Sequence, residues 1–434
     1  MDIDVSVDII RKKLSNLNDD KAAGNDKLSP RLLKAVADEI AYPVAMIFRK
    51  SLDSGAVPRD WKTANVTPLF KKGSRHQVSN YRPVSLTSQI CKVAESVLRD
   101  ELVQHLDQND LISKSQHGFR KGYSCASNLL VFLETVTAEL NDKHNVDTIY
   151  LDLAKAFDKV PHQRLLSKLK AHGIDGLVGN WIKSWLSDRW QRVCLEGTFS
   201  SWRRVWSGVP QGSVLGPVLF LIFINDLDSA VSSNVLKFAD DTKVYRVVDN
   251  RLDGTQLQND LDVLGDWAVK WQMKFNIEKC KVVHYGKRSI EFEYSLYGHP
   301  LEAVAFEKDL GVVFSSDLKV RRQCEEAYSK ASQMLGLINR TIQFKNPKVL
   351  LPLYKSIVRP HLEYCSAVWS PQYVKDKYLL ERVQPRFSRM FPELKSLPYE
   401  QRLNKLGLWT FEERRNRADL LEIFKLIKGL YSRV

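Results

Sequence analysis

Asp240 and Asp241 stand side by side in KFADDTKVY, residues 237–245, between two short runs that read as strand. Turns favour aspartate, but two adjacent carboxylates repel, and a hairpin has no need of both. A second stretch, YLDLAKAFDKVPH, places Asp152 in the strand-like run TIYLDL. A charge there is costly to bury unless it is paired or coordinates a metal. A strand with one aspartate beside a hairpin with two would gather three carboxylates, whose repulsion divalent cations relieve. Oxygen ligands with no His or Cys nearby point to Mg²⁺. The chemistry of such a centre is two-metal phosphoryl transfer. Asp158 precedes a helix with Pro161 in its first turn and reads as an N-cap.

The elements that would carry these residues alternate along the chain. Residues 1–60 read as helices, with Ser29 capping a helix that has Pro30 in its first turn. Short strand-like pieces rich in Lys and Arg follow. Next comes an amphipathic helix whose stripe is Ile90, Val93, Ala94, Val97, Leu98 and Leu102. The middle reads strand, helix, a further hairpin, a Gly-rich loop (GVPQGSVLGP), an apolar helix near 214–227, the aspartate hairpin, and another helix. The last quarter is helical, with apolar residues from Cys324 to Ile338 at spacings of three and four. The pattern predicts an α+β fold with antiparallel strands backed by helices.

Of 434 residues, 65 are Lys or Arg and 51 Asp or Glu, a net charge of +14. From Val320 onward 22 basic side chains face 11 acidic ones. That bias suggests a polyanionic partner such as nucleic acid. The six cysteines form no CxxC pair, which argues against a zinc framework and fits a reducing compartment. No apolar run reaches the ~18 residues of a membrane span, and no secretory signal is read at the start. The expected location is the nucleus or cytoplasm.

Six segments in order, NYRPVSLT, SQHGFRKGYS, YLDLAKAFDKVPH, GVPQGSVLGPVLFLIFINDL, FADD and FNIEKCKVVHYG, resemble reverse transcriptases of non-LTR (LINE-type, jockey-like) retrotransposons. A lone F-x-D-D is weak; six in this order are specific, and the resemblance runs from about Asp19 onward. It implies a right-hand polymerase with an antiparallel palm sheet and a helical thumb. The expected segments are an N-terminal helical extension (1–60), fingers (61–147), palm (148–318) and basic thumb (319–434). It implies Asp152, Asp240 and Asp241 as metal ligands, with the backbone carbonyl of Leu153. Two Mg²⁺ ions are expected, Mn²⁺ being able to substitute. The substrates implied are an RNA template, a DNA primer and deoxynucleoside triphosphates.

Further roles follow from the same resemblance. Phe157 is the steric gate against a ribose 2′-OH. Gln211, beside Gly212, lies against the incoming nucleotide and template base. Arg82 and Arg120, with Lys71 and Lys72 as weaker candidates, meet the triphosphate. Lys279, with Lys281 as its rival, protonates the leaving pyrophosphate. Leu310, Gly311 and Val312 form the hairpin that positions the primer end. The basic tail binds an RNA–DNA duplex, with Trp369, Tyr373 and Trp409 read as thumb core. The first 60 residues hold nothing like an endonuclease, and no Cys/His knuckle is read near Cys365. Two rival readings are a catalytically silent nucleic-acid-binding remnant and an RNA-templated RNA polymerase. Phe157 and Ala239 count against the second, since viral RNA polymerases usually place glycine before the paired aspartates and carry a smaller gate.

Overall fold

The structure, a computed structural model, describes residues 3–287 and 292–430. The chain divides into two units, each drawn from separated stretches of sequence. Met1–Phe119, Asp152–Ser232 and Asp260–Asn276 build the first; Arg120–Leu151, Ser233–Asn259 and Ile277–Val434 build the second.

In the first unit, helices α1 (Val7–Ser15), α2 (Pro30–Ala35) and α3 (Ala37–Ser54) open the chain. The Ser29 hydroxyl accepts the Leu32 N–H at 3.2 Å, the cap expected from the sequence. Gly55 ends α3 with φ of 62°, the left-handed value that favours glycine. Helices α4 (Gln89–Gln108), α6 (Ala156–Lys159), α7 (His162–Ala171), α8 (Gly176–Leu186) and α9 (Gly216–Ile224) complete the helical part. Their shared core includes Phe48, Leu98, Trp181, Trp185 and Phe220, each fully buried. Each such side chain contributes about 1.5–3 kcal/mol by leaving water. Trp181 stands edge-on to Phe48, centroids 6.2 Å apart, and its N–H donates to Ser51 Oγ at 2.9 Å. The sheet of this unit runs β2 (Tyr81–Leu86), β1 (Thr63–Phe70), β4 (Arg189–Leu195), β5 (Thr198–Phe199), and β6 (Arg203–Val205) also pairs with β4. All its pairings are antiparallel except β1 with β4.

The second unit is built on a sheet whose central strand, β3 (Val146–Leu151), has all six residues buried. Its order is β12 (Glu302–Ala303), β9 (Lys281–Tyr285), β3, β8 (Asp241–Val247), β7 (Asn234–Phe238). The antiparallel palm sheet expected from the sequence holds from β9 to β7, while β12 joins the edge in parallel. Helix α5 (Cys125–Asn141) covers one face, and its Phe132 meets Tyr245, Tyr285 and Phe314 edge-on at 5.2, 6.0 and 5.5 Å. Two small hairpins follow, β10 (Ser295–Leu296) with β11 (His299–Pro300), and β13 (Phe306–Asp309) with β14 (Val312–Ser315). Helix α11 (Arg321–Thr341) and the helices from Pro347–Leu353 to Phe411–Ile427 form one apolar core with this sheet. Helix α10 (Arg251–Lys270) begins in this unit and ends in the other.

Three sequence readings are corrected here. The charge buried in β3 is Asp147, not Asp152; its carboxylate is held by His284 Nδ1 at 2.8 Å and accepts the Tyr294 hydroxyl at 2.7 Å. Asp152 lies one residue past the strand and is half-buried. Of the aromatic residues assigned to the thumb core, Trp369 is buried, but Tyr373 and Trp409 are 59% and 51% exposed. Their isolated positions carried no periodicity to say which way they face.

Candidate active site

Strands β7 and β8 pair Phe238 with Asp241, so Ala239 and Asp240 alone make the turn. Ala239 has φ of 56°, a left-handed value costing an L-residue roughly 1–2 kcal/mol. Strain of this kind collects at functional turns. The turn leaves Asp240 half-buried and Asp241 exposed. Strand β8 pairs with β3, Leu151 opposite Thr242. Asp152 is the next residue of the chain after Leu151. The Asp152 carbonyl accepts the Asn276 N–H at 2.8 Å, and the Ala154 N–H donates to Lys274 O at 2.8 Å. Leu153 between them is buried and bridges to Phe275.

The donors named from the sequence are carboxylates and one carbonyl, chemistry that fits a hard divalent cation. Among the described residues, no group of three or more His, Cys, Asp or Glu side chains is gathered to hold a metal ion.

Phe157 is half-buried and held by rings: it stacks on Phe220, centroids 4.5 Å apart, and meets Phe119 edge-on at 6.3 Å. The next residue, Asp158, lies inside the short helix α6 rather than at an N-cap; α7 is preceded by Pro161 instead. Asp158 Oδ1 accepts the Gln211 side-chain N–H at 3.1 Å. Burial raises the Asp158 pKa, opposed by the Gln211 hydrogen bond and by Lys155 and Lys159. The Gly-rich loop folds back along this segment, with Val209 N–H donating to Phe157 O and Gly208 N–H to Val160 O, both at 2.8 Å. On its other side Gln211 O accepts the Ser85 N–H at 2.7 Å. Gly212 takes φ of 105°, and a Cβ there would lie 2.8 Å from Ser85 O, so only glycine fits.

Glu95 is the residue that sequence reasoning missed. It is fully buried on α4, within the stripe assigned to core. One oxygen accepts the N–H groups of Val214 and Leu215 at 2.6 and 3.3 Å; the other accepts Trp185 Nε1 at 3.1 Å and the Cys91 thiol at 3.2 Å. It therefore fixes the far end of the Gly-rich loop where α9 begins, with buried Arg189 as counter-charge. A glutamate beside Ala94 and Leu98 was the available signal.

The other candidates are spread over both units. Arg82 is exposed on β2, opposite Leu69, and Lys71 and Lys72 are exposed just past β1. Arg120 lies over the Tyr123 ring, 4.5 Å from its centroid, in the second unit. There too Lys279 is exposed at the end of a short helical turn. Lys281, the rival candidate, bonds Glu302 and the Glu278 carbonyl at 2.5 and 2.8 Å. Leu310 and Gly311, with φ of 43° and 90°, form the two-residue turn of the β13–β14 hairpin. The Tyr364 hydroxyl donates to Leu310 O at 2.9 Å. Asp309, before that turn, makes a buried ion pair with Lys243 of β8, so the two hairpins are joined.

Residues 70–336 match the family described as reverse transcriptase (RNA-dependent DNA polymerase), and the chain belongs to that family. Its α+β architecture is accordingly the right-hand polymerase fold. The expected kinship with non-LTR, jockey-like elements is borne out by curated relatives. The RNA-directed DNA polymerase from mobile element jockey of Drosophila melanogaster is 29% identical over 83% of this chain and 41% of its own length. The jockey polymerase of Drosophila funebris is 28% identical over 92% and 44%. A probable RNA-directed DNA polymerase from transposon BS of Drosophila melanogaster is 27% identical over 95% and 47%. The chain thus spans less than half the length of these relatives. A solved structure of apo telomerase from Candida tropicalis aligns with a TM-score of 0.43 at 13% identity, covering 69% of this chain and 62% of that one. That likeness is too loose to argue from.

Proposed function

We propose that this chain is an RNA-directed DNA polymerase that adds deoxynucleotides to a primer 3′-OH on an RNA template. The observation that carries the reading is the strained two-residue turn presenting Asp240 and Asp241, on a strand paired with the one that leads into Asp152. In this reading Asp152, Asp240, Asp241 and the Leu153 carbonyl hold two divalent ions, Mg²⁺ or Mn²⁺. When bound, such ions lower the pKa of the attacking 3′-oxygen and support the charge of the leaving pyrophosphate. The fingers, palm and thumb are assigned to 61–147, 148–318 and 319–434, after a helical extension over 1–60. Residues 1–2, 288–291 and 431–434 of these assignments lie outside the described residues.

The chain's own groups select and place the substrate. Phe157, immobilised against Phe220 and Phe119, forms a wall that clashes with a ribose 2′-OH. Gln211, held by Asp158 and by the Ser85 N–H, orients the nucleotide and its template base. Arg82 and Arg120, with Lys71 and Lys72, offer charge-assisted hydrogen bonds to the triphosphate. Lys279 donates a proton to the departing pyrophosphate. The Leu310–Gly311 turn supports the primer end.

The test is primer extension on poly(rA)/oligo(dT) with Mg²⁺, beside the Asp240→Asn, Asp241→Asn double variant. Deoxythymidine incorporation by the wild type and none by the variant is expected. If neither extends the primer while the wild type binds the duplex, the chain is a nucleic-acid-binding remnant. In an active enzyme, Phe157→Val should raise ribonucleotide incorporation by about tenfold or more, the equivalent of ~1.4 kcal/mol of relieved clash.

A further inference from the structure

The first unit holds a cleft of about 720 Å³ beside the start of α7, walled by α8 and by the segment after β6. Ligand sites commonly enclose ~300–1,000 Å³. Lys159, Arg164 and Lys183 line it, together with Gln163, Gln272 and Trp206, and among the described residues no Asp or Glu does. Among the described residues none of these three cations is drawn into a salt bridge. Arg164 leans toward the Trp271 ring at 6.0 Å, and Lys159 adjoins Asp158, which faces Gln211 instead. Trp206 is 72% exposed, an unusual setting for so large an apolar surface. Arg204, paired with Asp188, lies over the indole, 4.3 Å from its ring centroid.

Cations without acids attract phosphate, and an exposed indole offers a stacking surface to an unpaired base. In a duplex the base faces are already stacked, so the combination favours a single strand. The wall of the cleft is also the start of the Gly-rich loop. Ser207 Oγ donates to Asp158 O at 3.0 Å, and His162 Nε2 donates to Gly208 O at 2.8 Å.

We propose that this cleft binds single-stranded RNA, with phosphates on Lys159, Arg164 and Lys183 and a base on Trp206. That the strand is RNA, and the unpaired template, rests on the polymerase reading; the cleft's preference for a single strand does not.

The experiment uses the full chain and a single-stranded RNA oligonucleotide carrying 4-thiouridine. Its photo-crosslinks are mapped, and affinity is followed by anisotropy across a salt titration. Crosslinks are expected on the peptide containing Trp206. Trp206→Ala should weaken binding about tenfold, and Arg164→Glu, Lys183→Glu should lower the salt slope by about 0.7 for each phosphate no longer neutralised. Lys27→Glu, Lys50→Glu, the same charge change outside the cleft, should leave the Trp206 crosslink in place. In primer extension the cleft variants should raise KM for templates with long 5′ overhangs, with kcat and short-overhang extension unchanged. Crosslinks elsewhere, equal loss on long and short overhangs, or displacement of the RNA by free nucleotides would each overturn the proposal. If the wild type makes no DNA, the polymerase reading falls, while crosslinking and affinity still decide the cleft.

Discussion

Asp158 and Gln211 act as a pair: the amide of one has a fixed direction because the carboxylate of the other accepts its N–H. Asp158→Ala releases that amide, and a lost hydrogen bond of about 1 kcal/mol corresponds to roughly a fivefold effect. The expected result is a rise of about that size in the deoxynucleotide KM, with the unfolding midpoint little changed. Asp158→Asn retains an accepting oxygen and should recover most of the loss; steady-state kinetics on the three proteins check this. His162, which holds Gly208, gives a second handle. Burial depresses its pKa below the ordinary 6.5, outweighing the Gly208 hydrogen bond. The folded state therefore keeps it neutral where the unfolded chain binds a proton. Its contribution to stability is complete above pH 6.5 and is lost as pH falls through the depressed folded value. Urea midpoints between pH 7.5 and 5 should fall on acidification, and less steeply in His162→Gln, which keeps an N–H donor.

At the level of elements, the placing of the Gly-rich loop depends on α4. Glu95→Ala would strip two N–H groups at the start of α9 of their acceptor and leave Arg189 buried without its counter-charge. The expected destabilisation is about 3 kcal/mol, measured by urea unfolding, and Glu95→Gln should cost less. The aspartate hairpin and the stripe of α4 were legible in the sequence because strand alternation and helical spacing are local signals. So was the Ser29 cap. The role of Asp158 was not, because its partner is Gln211, far along the chain, and a carboxylate before a helix looks the same in either role. The strand-like run TIYLDL predicts Asp152 inside the strand; the pairing stops at Leu151, because β8 begins just after its turn, at Asp241. The Lys243–Asp309 pair, joining two hairpins, left no trace in either local pattern.

Across the whole molecule, charge is the property with the longest reach. If the basic C-terminal quarter lies along an RNA–DNA duplex, the logarithm of affinity should fall linearly with that of salt concentration. For six to ten neutralised phosphates the loss between 50 and 200 mM salt is roughly 10³–10⁵-fold. Filter binding on duplexes of unrelated sequence should give the same slope. A shallow or sequence-dependent slope would remove the basic surface from this role. The exposed Tyr373 and Trp409 would then need another explanation.

The chain passes between its two units after residues 119, 151, 232, 259 and 276. On the ribosome this order matters. Phe132 emerges well before Tyr245, Tyr285 and Phe314, the rings it must meet, so the core of the second unit stays open until those residues have been made. Until β8 and β9 emerge, β3, apolar at most positions, has neither neighbouring strand and is a template for wrong pairing. The yield of soluble protein should therefore respond to slower translation, lower temperature and chaperones that shield nascent strands more than to any single side chain at the catalytic turn.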